Sequence, residues 1–266
     1  MNALEKAGRT VNRANQTQTA PQIASRHLAA GIICSVLFTV SFARLFDFVQ
    51  DHGKTITPFD RSILYFMYHH RTRHLTRAAT VLAHLGSPPV IAGVALVSAV
   101  VGIFWRKVRG AAWTMPIAII GAGIIIQGVK LFIKRPRPSF FAPLLHESGF
   151  SFPSGHSLIA MVVYGLLGYF LMHLFRDFWA RLAVRILTVL VVVAIGVSRV
   201  YVGVHYPTDV LAGWIAGVPW LISCLALHEV LARRWQSSGE PVLKTQADGA
   251  GQKHTVASAA KTVLGG

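Results

Sequence analysis

Six stretches of apolar residues run along the chain, separated by shorter polar segments rich in arginine and lysine. They extend from Leu28 to about Phe48, Ser87 to Trp105, Ala111 to Phe132, Ser157 to Phe175, Ile186 to Val204 and Val210 to Leu231. Each is near the ~20 residues that a helix rising 1.5 Å per residue needs to cross ~30 Å of hydrocarbon. The pattern predicts an all-α fold, a polytopic bundle of six transmembrane helices over residues 28–231. Residues 1–27 and 232–266 are polar and poor in large apolar side chains, and read as disordered tails. The first stretch is uninterrupted only from Leu28 to Ala43, but its long polar lead favours a retained helix over a cleaved signal peptide. Residues 49–86 form a linker in which Phe59–Tyr68 reads either as a helix on the membrane surface or as a packed extramembrane loop.

Composition supports the membrane reading. Of 266 residues, 53% are hydrophobic and 14% charged, with mean hydropathy +0.51, less charge than a soluble domain carries. The net charge of +16 would suit nucleic acid, a membrane surface or an anionic substrate. Its basic residues sit between the apolar stretches, with no basic stripe interleaved with aromatics, so nucleic acid is not an expected partner. Cys34 and Cys224 read as small core hydrophobes. With Lys130, Arg137 and Arg199 set aside for a substrate, the six-helix arrangement puts 15 Lys and Arg on one side and 8 on the other. That bias predicts both tails in the cytoplasm.

Three polar clusters interrupt the apolar pattern. Lys130 to Pro138 ends the third stretch, Phe152 to Ser157 opens the fourth, and Ser198 to Asp209 spans the turn between the fifth and sixth. The first two flank one loop, and two membrane crossings separate the second from the third. All three are therefore expected at one membrane face. There Lys130, Arg137 and Arg199 would repel one another, and Asp209 alone cannot neutralise them. A phosphate meets that demand. Ser154 is expected to cap the fourth helix, with the amides of Gly155, His156 and Ser157 offered to an anion and Gly155 allowing close approach. Pro207 suits the first turn of the sixth helix, placing Asp209 beside His205. A carboxylate taking the Nδ1 proton leaves Nε2 free to attack phosphorus, and His156 remains to protonate the departing oxygen. Arg199 reads as a phosphate ligand rather than a snorkelling side chain, Lys134 and Arg135 as charges facing headgroups, and Pro136 and Pro138 as helix stops. His69, His70 and His74 are not expected to bind metal.

These clusters resemble the signature of the type 2 phosphatidic acid phosphatase superfamily. The pattern is Lys, six residues, Arg-Pro; Pro-Ser-Gly-His; then Ser-Arg, five residues, His, three residues, Asp. It is matched at Lys130, Arg137 and Pro138, at Pro153, Ser154, Gly155 and His156, and at Ser198, Arg199, His205 and Asp209. The resemblance implies an integral-membrane lipid phosphatase working without metal or cofactor through a phosphohistidine. His205 would be nucleophile, Asp209 its orienter, and His156 the acid and later the base. Lys130, Arg137, Ser154, Gly155 and Arg199 would hold phosphate oxygens. The expected partners are a lipid phosphate substrate and the surrounding membrane lipids, with the oligomeric state open. The expected location is the bacterial cytoplasmic (inner) membrane, with the site on the outer face. Relatives handle undecaprenyl diphosphate, phosphatidylglycerophosphate, phosphatidic acid and lipid A phosphates, and an outward-facing site favours undecaprenyl diphosphate. The alternatives are a lipid phosphotransferase of the same fold and a non-catalytic protein that binds or transports anionic lipid.

Overall fold

The computed structural model describes residues 31–51, 56–104 and 110–237, with side chains up to 232. Eight α-helices lie in that range: α1 (Gly31–Asp51), α2 (Pro58–His69), α3 (Arg73–Leu85), α4 (Pro88–Phe104), α5 (Ala111–Ile133), α6 (Gly155–Met172), α7 (Phe178–Tyr201) and α8 (Pro207–Ser237). Among the described residues, α1, α5, α6, α7 and α8 are long and apolar enough to cross a membrane. α4 has 17 residues. It passes the same test only together with α3, from which it is bent by 52°. That pair is the sixth candidate span. The expected tails lie outside the described residues, except that α8 continues to Ser237, past the boundary expected at 231.

One packed unit runs to Cys224; the other, from Leu225, contributes the end of α8. In the first, α6 packs against α7, α5 against α4 and α6, and α3 against α7. α1 covers a cluster in which Val49, Phe152 and Ala212 are buried, with Phe42, Phe46 and Val129 against them. The faces turned outward are apolar: Ile32, Val36 and Val40 on α1, and Leu187, Leu190 and Val193 on α7, are exposed. The interior holds the charge. Arg135, Arg199, His205, Asp60 and Asp209 are each at most 1% exposed. A polar interior inside an apolar shell suits lipid as the surrounding solvent.

Two expectations change here, and one open alternative is decided. Cys34 is exposed and only Cys224 is buried. α7 begins at Phe178, two turns before the expected Ile186, with Asp177 accepting the Ala180 amide at 2.8 Å. Arg181 and Arg185 broke the apolar run without breaking the helix. The linker is not a loop: Phe59–Tyr68 belongs to α2, capped by Thr57, which accepts the Asp60 amide at 3.0 Å, and α3 follows it. α2 buries Asp60 and Leu64 while Phe59, Tyr65 and Phe66 stay exposed.

Candidate active site

Local backbone features bring the polar clusters together. α5 stops at Ile133, before the prolines, because Lys134 takes a left-handed conformation (φ 53°) and returns its amide to the Lys130 carbonyl at 3.0 Å. Ser154 caps α6, its Oγ accepting from the Ser157 amide at 3.4 Å and the Ser157 hydroxyl at 3.0 Å. The cap thus consumes the Ser157 amide, which the sequence offered to an anion. The Ser154 amide donates to the Asp209 carbonyl at 2.9 Å, tying the start of α6 to the first turn of α8. Gly213 permits this contact, since a Cβ there would lie 2.7 Å from the Ser154 carbonyl oxygen.

His205 lies in the turn between α7 and α8, 1% exposed. Its Nδ1 is 3.5 Å from Asp209 Oδ2, and its Nε2 is 3.3 Å from Arg137 Nη1. A guanidinium can only donate, so this contact requires a lone pair on Nε2 and puts the imidazole proton on Nδ1, facing Asp209. At 3.5 Å the His205–Asp209 contact is longer than a formed hydrogen bond; catalytic contacts of this kind tighten around substrate. Burial lowers the His205 pKa, and Arg137 and Arg199 add to it, outweighing the attraction of Asp209. The imidazole is therefore neutral at neutral pH. Asp209 Oδ2 also accepts the Tyr206 amide at 2.9 Å, and Oδ1 accepts Arg135 Nη1 at 2.7 Å.

Opposite Nε2 lies a carboxylate that the sequence reading missed. Glu147 is hydrogen-bonded to Arg199 Nη2, and its Oε2 is 3.1 Å from Arg137 Nη1 and 4.0 Å from His205 Nε2. Burial alone would raise its pKa, but Arg199, His156, His205 and Arg137 outweigh it and keep Glu147 ionised. Asp209 is thus not the only counter-charge. The available signal was a single acidic residue, in a chain with only 10, on the loop joining the two basic-flanked clusters. Arg137 is braced by the carbonyls of Val204 (2.9 Å), Ser148 (3.1 Å) and Gly149 (3.2 Å). Lys130 Nζ donates to the Phe150 carbonyl at 2.9 Å and lies within electrostatic reach of Arg137, Glu147, Asp209 and Arg199. An open cavity of about 510 Å³, lined by Arg137, His146, Glu147 and Val204, leads to this cluster.

His156, in the first turn of α6, lies within electrostatic reach of Arg199, Glu147, His205 and Lys130. Against it rests Gly86, at the break between α3 and α4, where a Cβ would come 2.9 Å from His156 Cδ2. The structure therefore gathers Lys130, Arg137, Ser154, Gly155, His156, Arg199, His205 and Asp209 at one end of the bundle. Lys134 is exposed, as expected of a headgroup-facing charge. Arg135 is not: it is 1% exposed and bonded to Asp209, Asp60 and Thr208. Among the described residues, no group of three His, Cys, Asp or Glu is placed to hold a metal ion.

Fold and site together define a helical membrane protein that gathers cations around an anion beside a neutral histidine. Comparison with known proteins narrows this class. Residues 111–233 match the PAP2 superfamily. Phosphatidylglycerophosphatase B of Bacillus subtilis is 38% identical over 148 residues, 54% of this chain and 70% of that protein. An undecaprenyl-diphosphatase of Sulfolobus acidocaldarius is 34% identical over 120 residues, 43% of this chain and 54% of that protein. The crystal structure of a transmembrane PAP2-type phosphatidylglycerolphosphate phosphatase from Bacillus subtilis superposes with TM-score 0.67 at 31% identity, covering 73% of this chain and 96% of that one. The chain belongs to the PAP2 superfamily and is a multi-pass membrane lipid phosphatase.

Proposed function

We propose that this phosphatase hydrolyses a lipid phosphate or diphosphate through a phosphohistidine on His205. The observation that carries the proposal is the Glu147 carboxylate, held by Arg137 and Arg199 with an oxygen 4.0 Å from the unprotonated Nε2. Those two cations grip an anion directly before the nucleophile. A substrate phosphate, with more charge and more acceptor oxygens, takes that place from Glu147. Lys130, Arg137, Arg199 and the α6 start at Ser154 and Gly155 hold its oxygens. Nε2 then bonds to phosphorus as the bond to the leaving oxygen breaks, and His156 gives that oxygen its proton. The positive charge on the imidazole is balanced by Asp209. Water, deprotonated by His156, next attacks phosphorus, releasing inorganic phosphate and restoring His205. No step calls on a metal or cofactor.

Between substrates, the reading favours undecaprenyl diphosphate, because the charge bias puts the tails in the cytoplasm and the site on the outer face of a bacterial cytoplasmic membrane. Phosphatidylglycerophosphate is the rival, as the substrate named for the Bacillus subtilis relatives. The test is phosphate release by purified protein in EDTA from undecaprenyl diphosphate, phosphatidylglycerophosphate, phosphatidic acid and lipid A phosphate. Release undiminished by EDTA, fastest from undecaprenyl diphosphate, is expected. A requirement for added divalent metal would overturn the mechanism, and faster release from phosphatidylglycerophosphate the substrate choice. Labelled phosphate passing to a lipid acceptor instead of to water would mark a phosphotransferase.

Gly86 offers a separate check on His156. In Gly86→Ala the new methyl must displace the His156 ring or Ile195, whose Cγ2 is also 2.9 Å away. A displacement near 1 Å is expected to lower kcat by about 100-fold, while KM, set by the cations, changes little. Initial rates in detergent micelles measure both; an unchanged kcat would mean that His156 tolerates the shift or takes no part.

A further inference from the structure

α2 lies outside the residues 111–233 that match the family, yet its Asp60 is one side chain away from Asp209. Arg135 is the link. Its Nη1 donates to Asp209 Oδ1 at 2.7 Å and to Thr208 Oγ1 at 2.8 Å, and its Nη2 donates to Asp60 Oδ2 at 2.8 Å. Asp60 turns back to the same place on α8: Oδ1 accepts the Thr208 amide and Oδ2 the Thr208 hydroxyl, each at 2.9 Å. The guanidinium lies over the Tyr206 ring, 4.0 Å from its centroid. Asp60 and Asp209 are fully buried and Arg135 is 1% exposed.

This arrangement is more specific than a fold staple requires. Arg135 occupies one oxygen of Asp209 and so fixes the carboxylate's rotation, leaving the other for the Tyr206 amide and the His205 side. A lysine could not bond both carboxylates through a planar fork. Asp60 in turn neutralises Arg135, so that Asp209 keeps its full attraction for the imidazole. Remove Asp60, and Arg135 would draw on Asp209 alone.

We propose that Asp60 and Arg135 are positioning residues of the phosphatase reaction, locking Asp209 so that Oδ2 faces His205 Nδ1 and setting how strongly it holds that proton. The proposal rests on the reading of His205 as nucleophile. It extends the working site to a helix that carries none of the three motifs.

Charge gives the test its sign. His205 is faced by Arg137 and Glu147 from the α5–α6 connection, His156 from α6, Arg199 from α7 and Asp209 from α8, with Lys130 of α5 acting on His156 and Asp60 of α2 behind Arg135. Asp60→Asn removes a negative charge and favours the neutral imidazole, so the acid limb of kcat/KM should move to lower pH. Arg135→Gln removes a positive charge and should move it to higher pH, each by roughly one unit. The double variant Asp60→Asn/Arg135→Gln should return it towards the wild type. Each single variant should lose about 10- to 100-fold in kcat, the scale on which partners behind a reacting group act. KM should hold, because neither residue touches phosphate. The experiment is a pH–rate series on full-length protein in detergent micelles, with phosphatidylglycerophosphate and undecaprenyl diphosphate as probes and thermal melting alongside.

If Arg135→Gln does not fold, Asp60→Asn and the charge-keeping Arg135→Lys carry the test: the first with a shifted limb, the second with lowered kcat and an unshifted one. Folded variants with wild-type kcat and an unmoved limb would overturn the proposal, as would limbs moving the same way for Asp60→Asn and Arg135→Gln. His205→Ala in the same series separates the two levels. If it still turns over, the nucleophile reading fails; if it is dead while the Asp60 and Arg135 variants match wild type, only the positioning role fails.

Discussion

Replacing His205 with alanine is expected to lower kcat by roughly 10⁵- to 10⁶-fold, the scale on which loss of a covalent nucleophile acts. The phosphate grip should survive, since Arg137 keeps the Val204 carbonyl at 2.9 Å and Lys130 keeps that of Phe150 at 2.9 Å, while Arg199 is untouched. Substrate binding should therefore change far less than turnover. Rapid quenching with phosphorus-labelled substrate makes the chemistry visible. The wild type should carry an acid-labile, base-stable label, His205→Ala none, and His156→Ala a label that outlasts the wild type's because deprotonation of water is lost. Label of unchanged amount in His205→Ala would put the nucleophile elsewhere. The pH profile gives a second reading. Burial, together with Arg137 and Arg199, outweighs Asp209 and depresses the His205 pKa. The nucleophile is active when deprotonated, so kcat/KM should fall only as pH drops below the ordinary histidine value of about 6.5, and neutral pH should lie on the plateau.

How much of this was legible in the sequence follows from what hydropathy measures. An apolar run reports the face that a helix turns to lipid. α5 was therefore read at Ala111 from the start and ended within one residue of the expected Phe132. The three motif clusters were legible because the rare charges of an apolar chain mark its interior, and counting crossings put them on one side. What escaped was whatever depends on pairing across the bundle. Asp60 lies 75 positions from Arg135, in a segment whose apolar residues are too few to read as a span. Arg135 itself sat between Lys134 and two prolines, and nothing local distinguishes the buried member of that basic pair from the exposed one. Glu147 acquires meaning only when Arg137 and Arg199, 62 positions apart in sequence, close on it from two sides. The sequence placed a boundary at Ser87, but a hydropathy profile carries no bend angle, and the use of the break shows only where His156 rests against Gly86.

Asp209→Asn carries the second large effect, and its cause is a count of donors. The carboxylate meets three: Arg135 Nη1 at 2.7 Å on Oδ1, with the Tyr206 amide at 2.9 Å and His205 Nδ1 at 3.5 Å on Oδ2. An asparagine offers one acceptor oxygen and brings an NH₂ group that must face another donor. With the oxygen towards Arg135, the NH₂ group confronts the Tyr206 amide and repels the proton on Nδ1, driving His205 to the tautomer with hydrogen on Nε2. That nitrogen then has no lone pair for phosphorus. With the oxygen towards His205, Arg135 loses its carboxylate partner on α8. The tautomer effect alone is expected to lower kcat by about 10⁴-fold, as loss of the orienting carboxylate does in hydrolases with a histidine base. Arg135 keeps Asp60 but loses its charge-assisted hydrogen bond to position 209, which should cost about 2 kcal/mol of stability, seen as a lower melting temperature. The two effects separate by comparison with Arg135→Gln alone, in which Asp209 keeps its charge and its Oδ2 contacts. Melting temperature should fall in both variants while only Asp209→Asn loses about 10⁴-fold in kcat; an equal loss of kcat in the two would mean that Asp209 serves the fold and leaves His205 to orient itself.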